Sequence, residues 1–67
     1  MKVLLFNQQT GDVKLSSANQ NGKVYQQYLM DGYVPIAHIS GFNVVATPYT
    51  NEKNREVFAD KSYDFAK

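Results

Sequence analysis

The chain has 67 residues with no cysteine, and its seven basic and six acidic residues leave a net charge of +1. Without cysteine there is no disulfide or thiolate metal site, and the lone His38 cannot assemble a structural zinc site, so we predict neither metal nor cofactor. The small net charge excludes a strong overall attraction to nucleic acid or to anionic lipid.

The apolar run at residues 3–6 is too short for the core of a secretory signal, and no stretch approaches the ~20 apolar residues of a membrane span. The absence of cysteine fits a reducing compartment. We therefore predict a cytoplasmic protein that has no membrane partner.

The chain opens with a predicted β-hairpin. Residues 2–6 form a strand that is apolar on both sides, and residues 13–15 alternate as a return strand. Between them, residues 7–12 contain Asn, Thr, Gly and Asp, which are typical of a turn.

A helix is predicted next, within residues 18–31. Val24, Tyr25, Tyr28 and Leu29 fall on one side of a helix with 3.6 residues per turn. Gly32 stands where a helix ends on a residue with positive φ, which glycine adopts without steric penalty.

The start of this helix has two interpretations. Ser17 and Gln20 resemble a capping box, but Gly22 would then lie inside the helix at a cost of about 1 kcal/mol. Asn21 is the competing N-cap and gives a helix that is firm only from Lys23 onward.

Residues 33–40 are a predicted strand with β-branched and aromatic side chains. Strict alternation places Tyr33, Ala37 and Ile39 on one face and Val34, Ile36 and His38 on the other. Because apolar side chains occupy both faces, we expect both to be covered.

A second tight connection at residues 40–43 leads to a strand at residues 44–47 that Pro48 ends. The order is β-β-α-β-β, and sequential strands usually pair. The predicted fold class is α+β: a two-layer sandwich of an antiparallel sheet of about four strands with one helix on one face. The sequence leaves the strand order open.

Residues 51–67 hold eight of the charged side chains, whereas residues 1–50 hold five. Thr50 or Asn51 would cap a short helix through Ala59 that is anchored by Val57 and Phe58. Alternation of Val57, Ala59, Tyr63 and Phe65 fits an extended arm instead. We predict a domain at residues 1–50 and, at residues 51–67, a charged helix or arm that packs on the domain or on a second subunit.

Catalysis is not predicted. His38 and Ser40 share a strand face and could form a nucleophile and base, but the sequence shows no third group and no G-x-S-x-G motif. We interpret His38 as a half-buried sheet residue and Ser40 as the start of a turn.

The main functional prediction follows from the question of what covers the two apolar faces of the sheet. A single helix covers one face, so the other must be covered by the tail or by a second copy, and exposed apolar patches mark interaction sites. The predicted interaction surface consists of Val3, Leu5, Val34, Ile36, Val45, Tyr49, Phe58 and Phe65.

We therefore predict a small non-enzymatic protein–protein interaction module, such as an adaptor, an inhibitor or a phage-type regulator. It would act as a homodimer or dock on a larger protein through a charge-poor apolar and tyrosine-containing surface. The alternative is weak binding of single-stranded nucleic acid by tyrosines together with Lys2, Lys14 and Lys23, although so few lysines make a nucleic-acid partner the less favoured prediction.

Overall fold

The computed structural model describes residues 1–17 and 21–66, which form an antiparallel four-stranded sheet with helices on both faces. In chain order the elements are β1 (Lys2–Asn7), β2 (Val13–Ser17), α1 (Lys23–Met30), β3 (Tyr33–Ser40), β4 (Asn43–Ala46), α2 (Arg55–Val57), a π-helical stretch (Phe58–Ser62) and α3 (Tyr63–Ala66). The strand order is β2-β1-β3-β4. The predicted α+β fold is confirmed, and the structure supplies the strand order that the sequence left open.

The β1–β2 hairpin is closed by the side chain of Asn7, which is buried. Its Oδ1 accepts hydrogen bonds from the backbone N–H groups of Gln9 and Thr10, at 2.9 and 3.2 Å. Its Nδ2 donates to the carbonyl of Asp31 at 3.3 Å. One side chain therefore holds the turn and ties it to the end of α1, and the predicted hairpin is confirmed.

Helix α1 begins at Lys23 with Gly22 at the N-cap position. The shorter of the two predicted helices is therefore correct, but neither Ser17 nor Asn21 is the N-cap residue. Gln20, the other half of the predicted capping box, lies outside the described residues. At the far end, Gly32 has φ = 98° and its N–H donates to the carbonyl of Leu29 at 3.2 Å, as the sequence predicts.

Strand β3 contains a β-bulge that reverses its alternation. Leu4 lies opposite Ala37 whereas Leu5 lies opposite Pro35, so Ile36 is an extra residue in β3. Opposed residues of an antiparallel pair share a face.

The predicted division of β3 into two faces is therefore wrong beyond Ile36. Ile36 shares a face with Val34 as predicted, but Ala37 and Ile39 lie on that face too. His38 lies on the face of Tyr33 instead.

The face covered by α1, called the α1 face, carries a small core of Val3 and Leu5 packed with Tyr25, Tyr28 and Tyr33. Tyr28 and Tyr33 meet edge to face, with ring centroids 5.2 Å apart. Val24, which the sequence placed on the inner side of this helix, is instead 63% exposed.

The opposite face of the sheet carries the larger core and is covered by α2, the π-helical stretch and α3, together called the C-terminal helical segment. Val57 and Phe58 anchor it as predicted, but the helix continues to Ala66 and the extended-arm alternative is wrong. The buried residues of this core are Leu4, Phe6, Ile36, Ala37 and Ile39.

Each sheet face is thus covered by helix from the same chain. Of the two predicted ways to cover the second face, the tail is therefore the one observed, and no second copy is needed there. None of the helices among the described residues is long and apolar enough to cross a lipid bilayer.

Candidate interaction surface

A cleft of about 470 Å³ lies on the α1 face, between α1, β3 and the chain that follows β4. Its lining contains no Asp, Glu, Lys or Arg. The lining residues are Tyr25, Gln26, Leu29, Tyr33, Val34, Pro35, His38, Thr47, Pro48 and Tyr49.

The cleft exists because α1 packs over β1, β2 and β3 and leaves β4 uncovered. Val45 lies opposite His38 on the α1 face and is 53% exposed. Tyr49 and Leu29 of α1 both line the cleft, and they are 58% and 37% exposed. Pro48 lines it as well, as does His38 opposite Val45. We call the four exposed apolar residues Leu29, Val45, Pro48 and Tyr49 the cleft surface.

The bulge in β3 anchors the turn that presents Tyr49. The hydroxyl of Thr47 donates to the carbonyl of Pro35, and the hydroxyl of Thr50 donates to the carbonyl of Ile36. The N–H of Thr50 also donates to the carbonyl of Thr47 at 3.1 Å, which closes a β-turn with Pro48 at its second position. The threonine hydroxyls of the turn thus provide donors for the two carbonyl groups at the bulge of β3.

The side chain of Asn54, which is fully buried, holds the same turn by hydrogen bonds. Its Nδ2 donates to the carbonyl of Tyr49 at 3.1 Å, and its Oδ1 accepts from the N–H of Asn51 at 2.8 Å. In return, Oδ1 of Asn51 accepts from the N–H of Asn54 at 3.2 Å. The backbone of Tyr49 is therefore held on both sides, so ordering it on binding costs little entropy.

His38 lies half-buried at the floor of the cleft, next to Val45. Its Nδ1 is buried and has no hydrogen-bond partner among the described residues. Ser40 is exposed and lies opposite Asn43 at the end of the β3–β4 hairpin, and no hydrogen bond joins it to His38 Nδ1. Within residues 1–17 and 21–66, no group of three or more His, Asp or Glu side chains is arranged to hold a metal ion.

Tyr33, which lines the cleft, contacts a pair of charged side chains that do not line it. The Tyr33 hydroxyl donates to Asp12 Oδ2, and Lys14 Nζ lies 3.5 Å from the same oxygen. These contacts lower the pKa of Asp12, with the Tyr33 hydrogen bond as the largest cause. The same hydrogen bond raises the pKa of Tyr33 to about 12. Tyr33 therefore keeps its proton throughout the neutral range.

The residues of the predicted interaction surface do not form one surface in the structure, because some are buried and others are exposed. Val3, Leu5 and Ile36 are completely buried, so they are core residues of one subunit and do not belong to an exposed surface. The prediction placed them on the face that α1 does not cover, whereas Val3 and Leu5 lie beneath α1 and Ile36 lies beneath the C-terminal helical segment. Val34 and Phe58 are half-buried and pack against the larger core, and Phe65 is partly exposed on α3.

Of the predicted set, Tyr49 lines the cleft and Val45 lies opposite its lining residue His38, and both are more than half exposed. Sequence analysis missed Leu29 and Pro48 as their neighbours. Helical spacing places Leu29 on the inner side of α1, and nothing in the sequence shows that α1 stops short of β4.

The tyrosines of α1 that the nucleic-acid alternative invoked are engaged in packing. Tyr25 is buried against Val3 and Leu5, and Tyr28 packs on Tyr33. Lys14 lies close to Asp12, while Lys2 and Lys23 are exposed at the starts of β1 and α1.

A scan against protein-family models found no match, and searches of curated proteins and of solved structures found none either.

Proposed function

We propose that the protein is a non-enzymatic protein–protein interaction module that forms a homodimer through the cleft surface. The observation that carries the proposal is an exposed, uncharged and aromatic surface with Val45 and Tyr49 each more than half exposed beside a cleft that contains no Asp, Glu, Lys or Arg. Cores of protein interfaces are depleted in charge and enriched in aromatic residues in the same way.

The distribution of charge along the chain supports this choice of surface. No Asp, Glu, Lys or Arg occurs between Asp31 and Glu52, and this stretch contains β3, β4 and the Tyr49 turn. Two copies of such a surface can approach without like-charge repulsion and without burying an unpaired charge.

The preorganised position of Tyr49 is a second support. Its backbone carbonyl is bound by Asn54 and its N–H donates to the Thr47 hydroxyl at 3.2 Å, so the aromatic ring projects from a turn that is already ordered. Tyrosine offers a large contact area with few rotatable bonds, and it is common at binding hot spots.

We further propose that the module works in the cytoplasm as an adaptor, an inhibitor or a phage-type regulator. A cysteine-free chain suits a reducing compartment, and a small domain with one uncharged surface suits a role as a docking unit.

Sedimentation over a concentration series tests the homodimer. We expect the average mass to rise with concentration, and Tyr49→Ser to weaken the association at least tenfold. Tyr63→Ser is the matched control because Tyr63 is 52% exposed but lies on α3, away from the cleft. A monomer at every concentration, or equal effects of the two substitutions, would overturn the proposal.

A further inference from the structure

Strand β4 forms one edge of the sheet, and its hydrogen-bonding direction can be assigned. The N–H of Thr47 donates to the carbonyl of Ile36, so Thr47 points toward β3. Backbone groups alternate in direction along a strand. Asn43 and Val45 therefore also point toward β3, while the N–H and C=O groups of Val44 and Ala46 point outward from the sheet.

This edge lacks the features that usually protect an edge strand. Natural edges carry charged side chains, proline within the strand or a covering element. The sequence of β4 is NVVA, with neither charge nor proline, and no hydrogen bond from another described residue reaches the outward groups of Val44 and Ala46. By contrast, the opposite edge strand β2 carries Lys14 close to Asp12.

We propose that two copies of the chain pair antiparallel along β4, with the two-fold axis at Val45. This inference rests on the proposed homodimer and names how it forms. In this register Val44 of each copy exchanges two hydrogen bonds with Ala46 of its partner, and the two Val45 residues form the central pair without hydrogen bonds. The result is a continuous eight-stranded sheet.

The exposed side chains favour a second copy as the occupant of this edge. Pairs without hydrogen bonds bring side chains closest together, so the two Val45 side chains, each 53% exposed in one subunit, would contact each other on the α1 face. The register also places exposed Phe42 of one copy opposite Pro48 of the other. All these groups are uncharged, so the edge is electrostatically compatible with itself.

Pairing along β4 also completes the cleft. His38 lines the cleft and lies opposite Val45 in one subunit. An axis at Val45 would therefore bring the two clefts side by side as a single groove between the two α1 helices. A contact limited to a four-residue strand and its neighbours is small, so the dimer is weak and exchanges with monomer.

Removal of one outward N–H tests the inference. Ala46→Pro deletes the donor without disturbing the bonds to β3, because proline is tolerated on an edge strand where its nitrogen faces solvent. Two hydrogen bonds are lost per dimer, so we expect self-association to weaken roughly thirtyfold. Ala46→Thr keeps the N–H and is the matched control, with self-association close to that of the unmodified protein.

Amide hydrogen exchange gives a second measurement on the unmodified chain, which does not depend on how well the proline variant folds. The amides of Val44 and Ala46 should exchange quickly in dilute protein and slow at least tenfold in the dimer, whereas the amide of Val45 is protected in both. Slow exchange of the Val44 and Ala46 amides in the dimer, together with weaker self-association of Ala46→Pro, supports pairing along β4.

A dimer that Ala46→Pro leaves intact, with unprotected Val44 and Ala46 amides, would overturn this inference and leave the homodimer through the cleft surface standing. A protein that is monomeric at every concentration would overturn both. Protection that requires an added extended peptide rather than a second copy would also overturn the self-pairing.

Discussion

The hydroxyl of Tyr33 donates a 2.6 Å hydrogen bond to Oδ2 of Asp12 and joins the first residue of β3 to the turn between β1 and β2. The two residues are far apart in sequence but adjacent in the sheet, since Tyr33 lies opposite Asn7. The bond favours the ionised form of Asp12 and the protonated form of Tyr33. It therefore makes the stability of this corner of the sheet dependent on pH.

Tyr33→Phe should raise the pKa of Asp12 toward its ordinary value of 3.8, because the largest cause of the lowering is removed. NMR titration of the Asp12 carboxyl carbon measures this directly. Tyr63→Phe is the control, since Tyr63 packs on Phe58 and should leave Asp12 unchanged. An identical Asp12 titration in Tyr33→Phe would show that the hydrogen bond does not form in solution.

The same pair sets two pH windows for the free energy of unfolding. Asp12 has a lowered pKa in the folded state, so its contribution is present above pH 3.8 and is lost as the pH falls through the folded value. Tyr33 has a raised pKa, so its contribution is complete below pH 10.0 and is lost as the pH rises toward about 12. Chemical unfolding as a function of pH should show both losses in the unmodified protein. In Tyr33→Phe the alkaline loss from this pair should be absent and the acid loss smaller, because Lys14 still lowers the pKa of Asp12.

Leu5→Ala should destabilise the isolated subunit by about 3 kcal/mol, because the truncation leaves a cavity in a completely buried site. Urea unfolding of dilute protein measures the change, and Val24→Ala is the control at an exposed position on α1. If Leu5 contributed to an interface between subunits instead, the loss would appear only at concentrations where the protein dimerises.

Local sequence patterns predicted the elements of this fold because the turn residues and the hydrophobic periods agree at each boundary. Gly32 ends α1, and the Asn7 turn separates β1 from β2, as the residue types require. The side chains of β3 beyond Ile36 were placed on the wrong faces. Alternation cannot reveal a bulge, because the extra residue Ile36 is fixed by pairing with a distant strand.

The candidate site was harder to predict because it depends on packing between distant segments. The charged segment at residues 51–67 carries enough apolar residues to fit either a helix or an arm, and only contact with the sheet selects the helix. That segment covers Ile36 on one face, while α1 covers Val3 and Leu5 on the other. Exposed apolar side chains therefore remain beside α1, at Val45 of β4 and at Tyr49. The sequence identified Val45 and Tyr49 as surface residues, but it did not show that Leu29 of α1 belongs to the same cleft surface.

Asn54→Ala should destabilise the protein by roughly 2–3 kcal/mol, since it leaves the Tyr49 carbonyl and the Asn51 N–H without their buried partner. Thermal unfolding followed by circular dichroism measures the loss. Asn43→Ala is the control because Asn43 is exposed in β4, and we expect less than about 0.5 kcal/mol there. Because Asn54 holds the turn, the variant should also broaden the NMR signals of the Tyr49 ring. An unchanged Tyr49 spectrum would show that the threonine contacts alone fix the turn.

Ser62 offers the opposite kind of test, a substitution that should stabilise the protein. Its Oγ is completely buried in the π-helical stretch and has no hydrogen-bond partner among the described residues. A buried hydroxyl without a partner costs free energy, and Ser62→Ala removes it while keeping Cβ in place.

We therefore expect Ser62→Ala to raise the free energy of unfolding by about 1 kcal/mol, with a small part from the better helix propensity of alanine. Urea denaturation of dilute protein measures the gain, and Ser40→Ala is the control at an exposed serine, where no gain is expected. A loss of stability in Ser62→Ala would mean that the hydroxyl is hydrogen-bonded in solution. The π-helical stretch would then be held in part by that bond, rather than by packing of the C-terminal helical segment on the sheet alone.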